Sequence, residues 1–210
     1  MSALPFLPKK RVTLATLADA ARACRGCPLY ARATQTVFGA GPASARVILV
    51  GEQPGNDEDL RGAPFVGPAG RVLDKALAAA HIDRRETYVT NVVKHFNWVA
   101  TTGSRRLHKK PSSREVSACL PWLEEEIVLI KPDVVVLLGA TAAQAILGRD
   151  FRVTKDRGKL LATRFGARAL ATVHPSSILR QRTHEDRARE TERFVADLAV
   201  VAKLIHRRAA

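Results

Sequence analysis

A short apolar run, Arg46 to Val50 (RVILV), empties into GEQPGNDEDLRGAPFVGPAG (Gly51 to Gly70), and a helical pattern follows from Arg71 to His81. A β-branched strand that ends in a glycine- and proline-rich segment before a helix is the unit of an α/β sheet. Such sheets take ligands in the crevice beyond the carboxyl ends of their strands. Further strands are expected at Tyr88 to Val93, at Val134 to Leu138 and at Ala169 to Val173. The third of these four is continuous and apolar, as in a buried parallel strand, and Gly139-Ala140-Thr141 opens the helix after it.

The stretch after the first strand carries neither phosphate-binding pattern, G-x-G-x-x-G or G-x-x-x-x-G-K-[ST]. It holds Glu52 and Gln53 at the strand tip, an acidic patch (Asp57, Glu58, Asp59), and Pro64, Phe65 and Val66. A carboxylate and an exposed aromatic suit a planar base better than a phosphate, because a base stacks on a ring and offers its edge to polar groups. The plainer alternative is an ordinary loop with a solvated acidic run and a core phenylalanine.

With 210 residues and no Gly/Ser/Pro-rich linker, the chain is expected to build one core and one domain, 1–210. Lys and Arg number 34 against 20 Asp and Glu, a formal net charge of +14 that favours a polyanionic partner. No apolar stretch of about twenty residues is present to span a membrane. The N-terminus, MSALPFLPKKR, puts its charges after a short apolar run, the reverse of a signal peptide. A cytoplasmic location is therefore expected, where three cysteines do not pair as disulfides.

Thr13 to Cys24 has helical spacing at Leu14, Leu17, Ala20 and Ala21, with Thr13 as N-cap, and leads into Cys24-Arg25-Gly26-Cys27. A lone C-x-x-C suits a redox dithiol, a zinc half-site or an iron–sulfur half-site. The third cysteine, Cys119, lies in a helix that starts near Ser112 with capping-box spacing to Glu115 and contains Pro121. Asn91, toward the end of its strand, carries a carboxamide that both donates and accepts. That suits the mixed donor and acceptor edge of a planar base; the alternative is an asparagine bonded to local backbone. Asn97 to Lys110 (NWVATTGSRRLHKK) shows no period and reads as a flexible basic loop for phosphates. His184 to His206 carries a helical stripe (Phe194, Leu198, Val201, Ile205) assigned to core packing.

Taken in order, GEQPG, EDLRGAPFVGPAGRVLDKAL, YVTNVVKHF, GSRRLHK, VVVLLGATAA and TVHPSSILR resemble the uracil-DNA glycosylase superfamily. The match is closest to the UdgX group, relatives of the family-four iron–sulfur glycosylases that become covalently attached to their DNA product. It runs from about Cys24 to about Arg180. The resemblance implies a three-layer α/β/α fold around a central four-stranded, mainly parallel sheet, acting as a monomer on uracil-containing DNA, single- or double-stranded. It also implies a 4Fe-4S cluster. Family-four proteins have a cysteine where His95 follows TNVVK here, so the implied ligands are Cys24, Cys27, His95 and Cys119. Residue chemistry alone leaves tetrahedral zinc equally open.

By the same resemblance Phe65 is the stacking ring, Asn91 reads the uracil edge, and Gly51, Gln53 and Ser176 complete the substrate contacts. His174 faces uracil O2, and the loop through Arg180 enters the DNA. Residues 103–110 resemble the UdgX insertion, a basic loop with Arg105, Arg106, Lys109 and Lys110 on phosphates and His108 in the place of the covalent histidine. Ser104 and Leu107 stand where that signature more often shows Lys and Ile. Glycosidic cleavage must stabilise a departing uracil anion and an oxocarbenium-like sugar. His174 and Asn91 would ease departure, Glu52 would offset the positive charge, and His108, kept neutral by its cationic neighbours, would attack C1′. Three readings follow: a self-trapping uracil-DNA glycosylase, a turnover glycosylase of the family-four kind, or a non-catalytic uracil or single-strand DNA binding module.

Overall fold

The computed structural model describes residues 1–101 and 106–207. In chain order, α1 (Leu14–Arg22) precedes β1 (Val47–Gly51), α2 (Asn56–Arg61), α3 (Pro68–Ala79) and β2 (Thr87–Asn91). Two short strands, β3 (Trp98–Ala100) and β4 (Arg106–His108), lead to α4 (Ser113–Ile130), β5 (Val134–Leu138), α5 (Ala140–Leu147) and α6 (Val153–Asp156). Then come β6 (Leu160–Ala162), β7 (Arg168–Thr172), α7 (Pro175–Leu179) and α8 (His184–Arg207).

The main sheet has the order β2-β1-β5-β7-β6. Its first four strands are parallel and are the ones expected from their apolar runs. A fifth strand, β6, adds an antiparallel edge against β7. Three residues, Leu-Leu-Ala, are too few to carry a period, so this edge left no mark in the sequence.

Alternation along the strands splits the core in two. Val47 and Leu49 of β1 and Val134, Val136 and Leu138 of β5 pack with α3, α7 and α8. Ile48, Val50, Val135 and Leu137 face the opposite way, onto α4, α5 and α6. The three layers are thus a direct result of side chains pointing to opposite faces at successive positions. A third cluster, built on Leu17, Ala21, Val93 and Trp122, fastens α1 to α4.

Local chemistry sets the helix ends. Thr13 accepts from the Thr16 N–H at 3.2 Å, and Ser112 and Glu115 exchange both bonds of a capping box. Pro121 remains inside α4, where its missing N–H costs about 3 kcal/mol; full burial of Trp122 and Leu123 on the same helix offsets it.

Two expectations need correction. The segment after Asn97 is a two-stranded antiparallel ribbon, with Trp98 opposite His108, Val99 opposite Leu107 and Ala100 opposite Arg106. Its strands are again too short to show a period. Residues 102–105, which include Arg105 and the start of the expected insertion, lie outside the described residues. The acidic patch is also not a solvated run: Glu58 and Asp59 are buried. Glu58 accepts from the N–H groups of Gly55 and Gly67, tying both ends of the loop, and Asp59 accepts from the Thr34 N–H. Among the described residues, no helix is long and apolar enough to cross a membrane.

Candidate active site

The chain leaves β1 toward β2 on one side and later enters β5 on the other, so the strand order reverses between β1 and β5. Ligands of open α/β sheets sit at this reversal. Glu52 follows the tip of β1, and Thr141 lies in the first turn of α5; the Thr141 hydroxyl donates to Glu52 Oε2. The other carboxylate oxygen, Oε1, lies 3.5 Å from His108 Nε2. Thr141 was not singled out from the sequence, although a hydroxyl just inside a helix that follows a strand is the available signal.

These groups open into a cleft of about 1040 Å³. Its lining brings together Glu52, Gln53, Phe65, Asn91, His108, Lys110, His174, Ser176 and Arg180, from five separate regions of the chain. Gly51 lies behind two of its lining residues, Asn91 and Phe65. A Cβ there would stand 2.3 Å from Asn91 Oδ1 and 2.9 Å from Phe65 Cζ. Gly51→Ala is therefore expected to displace Asn91 and Phe65 together. Substrate cleavage should fall about 100-fold, since misplacing positioned groups by about 1 Å costs that much; the melting temperature and cleavage rate of the purified variant measure the two effects separately.

Phe65 is 8% exposed, not the open ring expected from the sequence. Its backbone is left-handed, φ 56°, and its carbonyl lies against Gly70, where a Cβ would stand 1.7 Å from the oxygen. A non-glycine residue holds this conformation only when its surroundings enforce it. The ring stacks on His174 at 6.1 Å between centroids and 28° between planes.

His174 caps α7. Its Nδ1 accepts from the Ser176 N–H at 3.1 Å and lies 2.8 Å from Ser176 Oγ, which in turn accepts from Arg180. With Nδ1 accepting, the neutral ring carries its proton on Nε2, the nitrogen that the cap does not use. Burial, then Arg180 and His108, push its pKa from 6.5 down to about 4, so at pH 7 the ring is a neutral donor.

His108 is half-exposed, packed against Phe96 at 6.2 Å between centroids. Its pKa is lowered first by burial and then by Arg180, with Glu52 acting in the opposite direction. Among the described residues the lowering comes from desolvation and a cation at α7's end, not from Arg106, Lys109 or Lys110.

Two residues expected at the substrate or the DNA are committed to the protein. The Gln53 carboxamide donates to Asn97 O at 3.2 Å and Lys109 O at 3.1 Å, and accepts from the Asn97 N–H at 3.0 Å. It pins the base of the ribbon to the tip of β1. Arg106 pairs with Asp59 at 2.6 Å, donates to Asn56 Oδ1 at 2.8 Å, and lies over the rings of Phe96 and Trp98. So engaged, the guanidinium clamps the ribbon against α2, with its Nη2 buried and without a partner. Lys109 and Lys110 are exposed, as is Arg180.

Away from the cleft, Cys24, Cys27 and Cys119 are buried in the third cluster, and none is disulfide-bonded. The Trp122 indole donates to Cys24 Sγ and the Lys94 amide to Cys119 Sγ, both at 3.3 Å. Burial pushes the Cys119 thiol up to about 12 and raises Cys27, and the charges of neighbouring cysteines act in the same direction. His95 is buried, with Nε2 at 2.9 Å from Thr36 Oγ1 and Nδ1 without a partner. Among the described residues, no three His, Cys, Asp or Glu are grouped so as to hold a metal ion.

Residues 38–199 match the family model described as the uracil DNA glycosylase superfamily. The Type-4 uracil-DNA glycosylase of Thermotoga maritima is 37% identical over 170 residues, covering 80% of this chain and 84% of that protein. The Type-4 uracil-DNA glycosylase of Archaeoglobus fulgidus is 36% identical over 163 residues, 74% of this chain and 78% of that protein. That of Pyrobaculum aerophilum is 34% identical over 165 residues, with 75% and 80% covered. A match over most of the chain, with a cleft at the strand reversal where such a sheet takes its ligand, means that the chain belongs to the uracil-DNA glycosylase superfamily.

Proposed function

We propose that this protein is a cytoplasmic, monomeric uracil-DNA glycosylase of the UdgX type: it excises uracil from DNA and is left bound to C1′ through His108. The observation that carries the reading is the approach of His108 Nε2 to Glu52 Oε1 at the mouth of a cleft that also holds Asn91, Phe65 and His174. In the proposed step the Nε2 lone pair of neutral His108, whose proton is on Nδ1, bonds to C1′; Glu52 balances the imidazolium so formed, which then gives its Nδ1 proton to solvent. The C1′–N1 bond breaks with its electron pair on uracil, which His174 and Asn91 stabilise at its two edges; the proton passes through solvent to the released base. Phe65 stacks on the base, with Gly51 behind the ring and Ser176 in the wall. Lys109, Lys110 and Arg180 would lie along phosphates, joined by Arg105.

A turnover glycosylase is the alternative favoured by the names of the Type-4 relatives. Incubation with a uracil-containing oligonucleotide separates the readings. A denaturation-resistant adduct supports trapping, free uracil in excess of protein supports turnover, and neither outcome leaves a binding module.

We also infer a 4Fe-4S cluster on Cys24, Cys27, Cys119 and His95. Three thiols buried in one cluster, N–H donors on two of the sulfurs and an orphaned His95 Nδ1 support the fit. The same donor set would also suit tetrahedral zinc; the iron–sulfur choice rests on the likeness to the family-four glycosylases. When bound, the cluster supplies folding free energy. Anaerobically purified protein is therefore expected to be brown, and Cys27→Ala to lower soluble yield and melting temperature more than chemistry. Stoichiometric zinc without iron or acid-labile sulfide overturns the assignment.

Only neutral His108 can attack, and its lowered pKa keeps it neutral to below the usual imidazole range. Adduct yield per uracil released should be flat above that range and decline on acidification. Arg180→Ala removes a charge that lowers the pKa, so the decline should move to higher pH.

A further inference from the structure

Lys94 and Glu126 are an ion pair outside the cleft, 2.6 Å apart, with side chains 1% and 0% exposed. All three ammonium protons have acceptors: Glu126 Oε2 at 2.6 Å, Thr90 Oγ1 at 2.6 Å and the main-chain carbonyl of Asn91 at 2.8 Å. Glu126 further accepts from the Tyr88 and Thr90 hydroxyls and from the Gly39 N–H. Stability does not account for such a pair, because apolar groups of similar volume often serve as well or better. No apolar pair, however, could hold the Asn91 carbonyl.

That carbonyl ends β2, where the chain turns out of the sheet. The Asn91 carboxamide beyond it is pressed against Gly51, and Asn91 lines the cleft. A charged donor on the carbonyl therefore fixes the stem from which the carboxamide projects.

We propose that Lys94, held by Glu126, is a positioning residue that sets the Asn91 carboxamide against the edge of the base. The proposal rests on the uracil-excision reading and deepens it, assigning part of base recognition to a buried charge that touches no substrate.

The test is a double-mutant cycle read as the single-turnover rate of uracil release from a uracil-containing oligonucleotide at saturating protein. Lys94→Met/Glu126→Leu removes both charges, so neither is left buried alone. It is expected to slow release about 100-fold when Asn91 is present. In an Asn91→Ala background the same change should alter the rate by less than about twofold, because the two act as one unit. Equal losses in both backgrounds, or no loss in either, overturn the proposal. Should circular dichroism show that Met and Leu do not fold there, Lys94→Gln/Glu126→Gln carries the same cycle. If the unaltered protein releases no uracil, the excision reading fails by itself; the cycle is then run on affinity for free uracil, which judges Lys94 separately.

Discussion

Glu52→Gln is expected to suppress base release and adduct formation together, by about 100- to 1000-fold, the usual effect of removing one preorganised electrostatic group from beside a developing charge. The substitution keeps the shape of the side chain and can still accept from the Thr141 hydroxyl, so the cleft should keep its form. What disappears is the negative charge, and with it two services. The oxocarbenium-like sugar loses its counter-charge, and His108, 3.5 Å away, loses the carboxylate that balances the imidazolium formed as it attacks. Because the first loss precedes the second, uracil release itself must fall. Denaturing gels and uracil release under single-turnover conditions measure both; adduct formation within tenfold of the unaltered rate would remove Glu52 from the chemistry.

His108→Ser is expected to abolish the adduct and allow many turnovers, so that uracil released exceeds protein added. The imidazole occupies the space between Phe96 and Glu52. A serine there leaves room for water in reach of the same carboxylate, and water then captures C1′ and leaves an abasic site. Asn91, Phe65 and His174 come from other elements and are untouched, so departure of the base persists. His108→Gln fills more of the space and should turn over less. A persistent adduct in His108→Ser would move the nucleophile elsewhere, with His174 the next candidate, although its Nδ1 is held by the α7 cap.

The parallel strands, the helix caps at Thr13 and Ser112 and the cleft residues that follow strand ends were legible because each leaves a local mark: a period, a capping pair, or a polar residue after an apolar run. Thr141, the Gln53 lock and the Arg106–Asp59 clamp were not. Each joins residues distant in sequence, as Asp59 and Arg106 are, and neither partner alone differs from a solvated side chain until the fold brings them together. The ribbon escaped for a related reason, since its pairing is made by three residues on each side. Phe65 was expected as an open ring and lines the cleft as a nearly buried one: no spacing announces a left-handed residue set over a glycine five positions later.

Among the described residues, the ribbon contributes none to the three buried clusters; it is fastened to the finished sheet by Gln53 at its base and by Arg106 on its flank. Heredity can therefore treat it as an attachment. A lineage could gain, lengthen or discard these residues without refolding the scaffold beneath them.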